Sequence, residues 1–255
     1  MSYARISGAE RIDLVTFDLY DTLVEMDVPR WDRFARAMQA VGFAADPLHL
    51  RHVDRAAEDY YTIENGKVPI RDRPEEEQDE FRLVYAETYL RAAGAPTDRE
   101  TVQRVRQHYV DEIGTHGWVY SMFDDVIPAL ERLETAGVKR AVVSNADADV
   151  TAFCLNMGFA THMDLIVTSA LVGYEKPDAR TFFAALDPLG VAPANALHVG
   201  DQALSDVVGS LAIGMHAALI DRYQRHRDDE HEGAIVVCSL TELVDIVLEH
   251  NDRIS

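Results

Sequence analysis

The stretch TFDLYDTLV, Thr16 to Val24, closes an apolar run with two aspartates, Asp18 and Asp21, and puts Tyr20 between them. Leu14-Val15-Thr16-Phe17 reads as the centre of a short buried strand over Ile12–Leu19, so that the chain leaves the strand on the carboxylate of Asp18. The same device recurs downstream. VKRAVVSNA (138–146) reads as a strand ending in Ser144-Asn145, and NALHVGD (195–201) as one ending in Asp201. Further strands are expected at LIVTSA (165–170), HAALID (216–221) and GAIVVCS (233–239). Helical patterns alternate with them at 124–137, 147–158, 178–190, 205–215 and 240–250. Strand and helix alternate along most of this stretch, the mark of a parallel sheet with helices on both faces. Ligands bind such sheets outside the carboxyl ends of the strands, where Asp18, Ser144 and Asp201 all fall.

Between Val24 and Gly117 the pattern is different. Apolar residues recur at helical spacing from Trp31 to about Val41, from Leu48 to Tyr61, from Phe81 to Ala93 and from Arg99 to Ile113. A polar connection with two prolines, Asn65 to Glu77, separates the second and third of these. No strand signal is present there. The expected fold class is therefore α/β: a Rossmann-like parallel sheet core, residues 1–23 and 118–255, with an all-helical domain, residues 24–117, inserted after the first strand.

Composition narrows the function. The formal net charge of −20 over 255 residues would repel polyphosphates, which argues against nucleic acid and anionic membranes as partners. A small anionic substrate responds to its local site and stays compatible. No apolar run is long enough to span a bilayer, and the N-terminus lacks a signal-peptide pattern. The two cysteines, Cys154 and Cys238, are far apart with no CxxC spacing, which points to a reducing, cytoplasmic setting without disulfides or zinc.

Taken one at a time, the polar strand ends are ordinary turn and capping residues. Lys176-Pro177-Asp178 is what a helix start calls for, and Asp206 reads as a cap for the helix after Asp201. In this order along the chain, however, FDLYDTL, VVSNA, GYEKPD and HVGDQALSD resemble the four motifs of the haloacid dehalogenase-like hydrolase superfamily. The insert is similar in place and helical character to that superfamily's C1-type cap, which closes over the site. The resemblance implies that Asp18 is a carboxylate nucleophile that forms a covalent intermediate. Ser144, with Asn145 beside it, would hydrogen-bond the transferring group, and Lys176 would offset the charge of nucleophile and substrate. Asp18, Asp201, Asp206 and the main-chain carbonyl of Tyr20 would hold Mg²⁺, whose preference is for hard oxygen ligands.

Tyr20 departs from the superfamily's phosphatases, which carry an aspartate there as general acid and base. Asp21, one step further, would face the other way on an extended chain. Loss of the acid leaves the metal ligand intact but removes a proton donor worth about 10²–10⁴-fold in rate. Asp-x-Tyr is the pattern of the L-2-haloacid dehalogenases, whose halide leaves without a proton and whose chemistry needs no metal. Arg51 is positioned as a loose match to their cap arginine. Against them stand Phe182, where they have tyrosine, and the fourth motif, where they carry small polar residues instead of Asp201 and Asp206. Without a metal, three acids would crowd one lysine and weaken the nucleophile. The charge balance therefore favours a Mg²⁺-dependent phosphohydrolase acting on a small phosphorylated metabolite. The alternatives are a metal-independent 2-haloacid dehalogenase and a catalytically weak relative that binds a phosphorylated ligand. Asp27, Asp54 and Asp59 are candidates for a borrowed acid, each with a surface role as its plainer reading. Trp31, Tyr60 and Tyr61 read as packing residues of the insert, and Arg30 as a candidate contact for an anion. Neither the substrate nor the oligomeric state is written in these motifs.

Overall fold

The computed structural model describes residues 6–225 and 233–254. Six parallel strands form one sheet in the order β5-β4-β1-β6-β7-β8: β1 (Leu14–Phe17), β4 (Lys139–Ser144), β5 (Leu165–Thr168), β6 (Ala196–Gly200), β7 (His216–Ile220) and β8 (Ala234–Val237). The chain builds outward from β1 to β4 and β5, then returns to β6 and continues the other way to β7 and β8. Because parallel crossovers are right-handed, this reversal puts the connecting helices on opposite faces and opens a crevice at the central strand ends. The connections include α6 (Val126–Thr135), α7 (Thr151–Met157), α8 (Ser169–Val172), α9 (Ala179–Leu189) and α10 (Gly209–Ala212), and α11 (Leu240–Ile254) follows the last strand.

The sheet is buried on both faces, which is why its strands read as almost unbroken apolar runs. All four residues of β1 and all five of β6 are buried. Phe182, Ala185 and Leu186 of α9 pack on Leu14, Ala141, Val143, Val167 and Ala196. Among the described residues no helix is long and apolar enough to cross a membrane.

The chain divides into two compact units, one comprising Met1–Glu25 and Met122–Ser255, the other Met26–Ser121. The second unit holds α1 (Arg30–Ala40), α2 (Pro47–Val53), α3 (Arg55–Lys67), α4 (Glu75–Ala92) and α5 (Arg99–His116). Its centre is aromatic: Phe34 of α1 stacks on Tyr89 of α4 at 4.1 Å and on Tyr109 of α5 at 4.4 Å between centroids. The expected helix from Leu48 to Tyr61 is two helices, broken at Asp54, whose carboxylate turns inward to a bidentate pair with Arg30. The expectation of no strand between Val24 and Gly117 also needs correction. β2 (Val24–Met26) pairs with β3 (Tyr120–Met122), and three residues are too few to leave a periodic signal.

Candidate active site

Three neighbouring strands deliver the site. β1 lies between β4 and β6, with Phe17 in register with Val142 and Val199. Just beyond them lie Asp18, one residue on, the Ser144-Asn145 end of β4, and Asp201, two residues past Val199. The backbone N–H of Asp18 donates to the carbonyl of Val199 at 2.8 Å, which ties the first motif to the fourth. Asp206 comes from a π-helical turn, Ala203–Val208, a geometry that widens the helix and is frequent at functional sites. Its carboxylate sits so near β6 that a Cβ on Gly200 would lie 2.3 Å from its Cγ. Only glycine permits that approach.

Lys176 joins the motifs. Its ammonium donates to Asp18 Oδ1 and to Asp206 Oδ1, each at 2.7 Å, and its side chain is 1 % exposed. Asn145 works on the main chain of Lys176: its Oδ1 accepts from the lysine N–H at 2.7 Å, and its Nδ2 donates to the lysine carbonyl at 3.0 Å. The amide is thus committed to positioning Lys176. Asp18, Asp201 and Asp206 each offer an oxygen, and these atoms lie within 4.8 Å of one another. Ser144 Oγ is fully buried and has no hydrogen-bond partner among the described residues, and the same holds for Thr22 Oγ1. Buried hydroxyls left in that state are costly, and a ligand oxygen would satisfy them.

Burial sets the electrostatics. It pushes the Asp18 carboxyl up to about 6, against the pull of Lys176 and with help from Asp206. Burial likewise drives Asp201 well above the usual carboxylate range, although the Arg225 guanidinium opposes it. Asp206 goes the other way, because Lys176 and His198 outweigh its burial and hold it below that range. Burial also works against the charge of Lys176, but the two carboxylates outweigh it and keep the ammonium protonated.

Two parts of this arrangement are absent from the sequence reading. His198, buried on β6, has Nδ1 at 2.8 Å from Thr16 Oγ1 and Nε2 at 3.2 Å from Asp206 Oδ1. Phe182 meets its ring edge-on at 5.1 Å. Thr16 and His198 are register partners, and the signal that finds them is a polar residue at a core position in each of two apolar strands. The second part is Arg225, whose Nη2 donates to Asp201 Oδ2 at 2.6 Å. No periodicity marks it. It brings a second positive charge to a cluster that the sequence reading credited with one.

A model of haloacid dehalogenase-like hydrolases matches residues 12–214. The chain belongs to the haloacid dehalogenase-like hydrolase family. Its relatives include the mouse (Mus musculus) haloacid dehalogenase-like hydrolase domain-containing protein 3, 31 % identical over 209 residues, with 81 % of each chain covered. A phosphoserine phosphatase of Thermus thermophilus is 31 % identical over 161 residues, covering 63 % of this chain and 62 % of that one. Among solved structures, a 2-haloacid dehalogenase from Pseudomonas syringae shares the fold with a TM-score of 0.54 at 24 % identity, covering 93 % and 99 % of the two chains. The same architecture therefore carries phosphatases and dehalogenases.

The remaining candidates in this hydrolase fall into place residue by residue. Tyr20 is half-buried, its ring 6.0 Å from that of Phe153. Asp21 is not on extended chain, as its φ of 56° puts it in a left-handed turn. Its charge acts on Asp201 ahead of that of Asp18. In the helical unit, Asp54 is fully buried against Arg30 and is no surface acid. Arg30 is committed to Asp54 and Glu58. Asp59 faces Arg55 one helical turn away. Trp31 is buried, and Tyr60 and Tyr61 each pack on Phe81 at 5.3 Å. Arg51 lies on α2 and is half-buried. Among the described residues, the donor group that fits a cation is thus Asp18, Asp201 and Asp206, hard oxygens of the kind that Mg²⁺ takes.

Proposed function

We propose that this hydrolase is a Mg²⁺-dependent phosphohydrolase that acts on a small phosphorylated metabolite through an aspartyl-phosphate on Asp18. One observation carries the reading: Asp18, Asp201 and Asp206 bring carboxylate oxygens to within 4.8 Å of one another, with the Lys176 ammonium paired to Asp18 and Asp206. The likeness to the phosphoserine phosphatase supports it. Asp18, Asp201, Asp206 and the carbonyl of Tyr20 would hold the ion, which supplies positive charge to the phosphoryl oxygens. Asp18 attacks phosphorus, the ester P–O bond breaks, and the leaving oxygen departs with the electron pair. Water then attacks the phosphorus of the aspartyl-phosphate, the phosphorus–oxygen bond to Asp18 breaks and restores its carboxylate, and the proton that the water gives up to solvent balances the one that the leaving oxygen takes from it. The Ser144 hydroxyl donates to a phosphoryl oxygen, Lys176 orients Asp18 and offsets anionic charge, and Asn145 positions Lys176. Residues 24–117 are the cap that selects the substrate, and the setting is the cytoplasm.

Tyr20 shapes the substrate preference. Without a carboxylic acid at that position, esters with good leaving groups are favoured. With Mg²⁺, an aryl phosphate such as p-nitrophenyl phosphate is expected to be cleaved about 10²–10⁴-fold faster than a sugar phosphate. Tyr20→Asp should narrow that gap, and EDTA should abolish both activities. Equal rates on the two esters would contradict the proton-supply account.

A second reading, hydrolytic 2-haloacid dehalogenation, is favoured by Arg225, which partly neutralises the acids without a metal. Halide release from 2-chloropropionate in EDTA, with no phosphatase activity, would establish it in place of the first. Binding of a phosphate mimic without turnover of any ester would instead identify a catalytically weak, ligand-binding relative.

A further inference from the structure

The side chain of Arg225 is 7 % exposed and that of Asp201 is 4 % exposed, so their 2.6 Å contact is a buried ion pair. The segment that carries Arg225 is fastened to the site at several points. Arg222 donates through Nε and Nη2 to the carbonyl of Thr22, in the first motif, and through both terminal nitrogens to Asp125. The Tyr223 hydroxyl lies 3.4 Å from Asp21 Oδ1 and 3.4 Å from Glu25 Oε2. The Arg225 N–H donates to Asp221 Oδ1 at 2.7 Å, closing the turn that follows β7. Asp201 takes both of its side-chain hydrogen bonds among the described residues, from Arg225 and from Gln202 Nε2, on Oδ2.

We infer that Arg225 is a resident counter-ion of Asp201 that competes with the divalent cation and so sets the metal affinity of the site. The inference rests on the proposed metal site and adds a residue that weakens it by design. A guanidinium stays charged at every physiological pH. If the cation enters on Oδ1 while Arg225 keeps Oδ2, the two positive charges share one carboxylate. If the cation claims both oxygens, the buried pair must break first. Either route lowers affinity, and either way Asp201 is compensated while the metal is absent. Metal binding is then an exchange of one cation for another at Asp201.

The test is calorimetric titration of Mg²⁺ into the full chain without substrate, for wild type, Arg225→Gln and Arg225→Lys. Arg225→Gln is expected to bind Mg²⁺ roughly tenfold tighter or more, from removal of one nearby charge, with Arg225→Lys close to wild type. In EDTA, Arg225→Gln should melt below wild type and then gain more from added Mg²⁺. Nitrogen-15 NMR of wild type supplies a reading that needs no variant to fold: the Arg225 Nε–H resonance should move with the same Kd as the calorimetry. Equal or weaker Mg²⁺ binding by Arg225→Gln, or a resonance that stays fixed while Mg²⁺ binds, overturns the inference and leaves the phosphohydrolase reading standing. Failure of every form to bind Mg²⁺ at millimolar concentration overturns both.

Discussion

Asp18 and Asp206 share one ammonium, and Asp206 has a second hydrogen-bonding partner in His198. That asymmetry leaves the carboxylate assigned to attack as the harder one to ionise, with a pKa pushed up to about 6 by burial. The sign of the stability effect follows. Between the ordinary carboxylate range and about 6, native Asp18 keeps a proton that the unfolded chain has released, so stability falls as pH rises through that window. Above it the full penalty, of order 2–3 kcal/mol, is present in the metal-free protein. Asp18→Asn is therefore expected to melt several degrees higher than wild type in EDTA at pH 7.5, with the difference closing toward pH 4 and shrinking when Mg²⁺ is added. Thermal denaturation followed by circular dichroism checks this, and a lower melting point for the variant at pH 7.5 would refute it. Of the residues involved, Asp18, Ser144 and Asp201 are legible in sequence because each stands at the end of a strand, and Lys176 and Asp206 because each sits in a motif that resembles the family's. Asn145 is legible in place but not in role, since its two bonds to the main chain of Lys176 span 31 positions.

At the scale of elements, the passage from β6 into the π-helical turn decides where Asp206 goes. Gly200 makes room for the carboxylate, whose Oδ2 in turn accepts from the Gln202 N–H at 2.9 Å. Gly200→Ala would drive a methyl into Asp206 and is expected to cost about 1–3 kcal/mol in stability, as overpacking does. It should weaken Mg²⁺ binding at least about tenfold while leaving far-UV circular dichroism unchanged, because the displaced group is one of the proposed ligands and no helix is lost. Mg²⁺ titration with a full spectrum measures both. Periodicity found the helices and strands because burial imposes it along each one. It missed the break at Asp54 because the buried pair with Arg30 comes from another helix, 24 positions away. It missed β2 because that strand spans only three residues.

Across the whole molecule, the net charge of −20 opposes compaction. Screening should relieve that repulsion, so the metal-free protein is expected to melt roughly 2–5 °C higher in 500 mM than in 20 mM sodium chloride. Scanning calorimetry in EDTA reads the shift, and a fall with salt would show that paired charges such as Arg30–Asp54 outweigh the repulsion. The order of the motifs, the alternation of strand and helix and the helical insert follow from the chain alone, because each rests on spacing over a few residues. Right-handed crossovers narrow the topologies, but the strand order itself comes from the structure. What only the tertiary structure decides is which groups meet. Thr16 reaches His198 across 182 positions, and Arg225 reaches Asp201 across 24. Such contacts leave no local pattern, because side chains at the ends of different elements are brought together by the packing of the sheet and not by their neighbours in sequence.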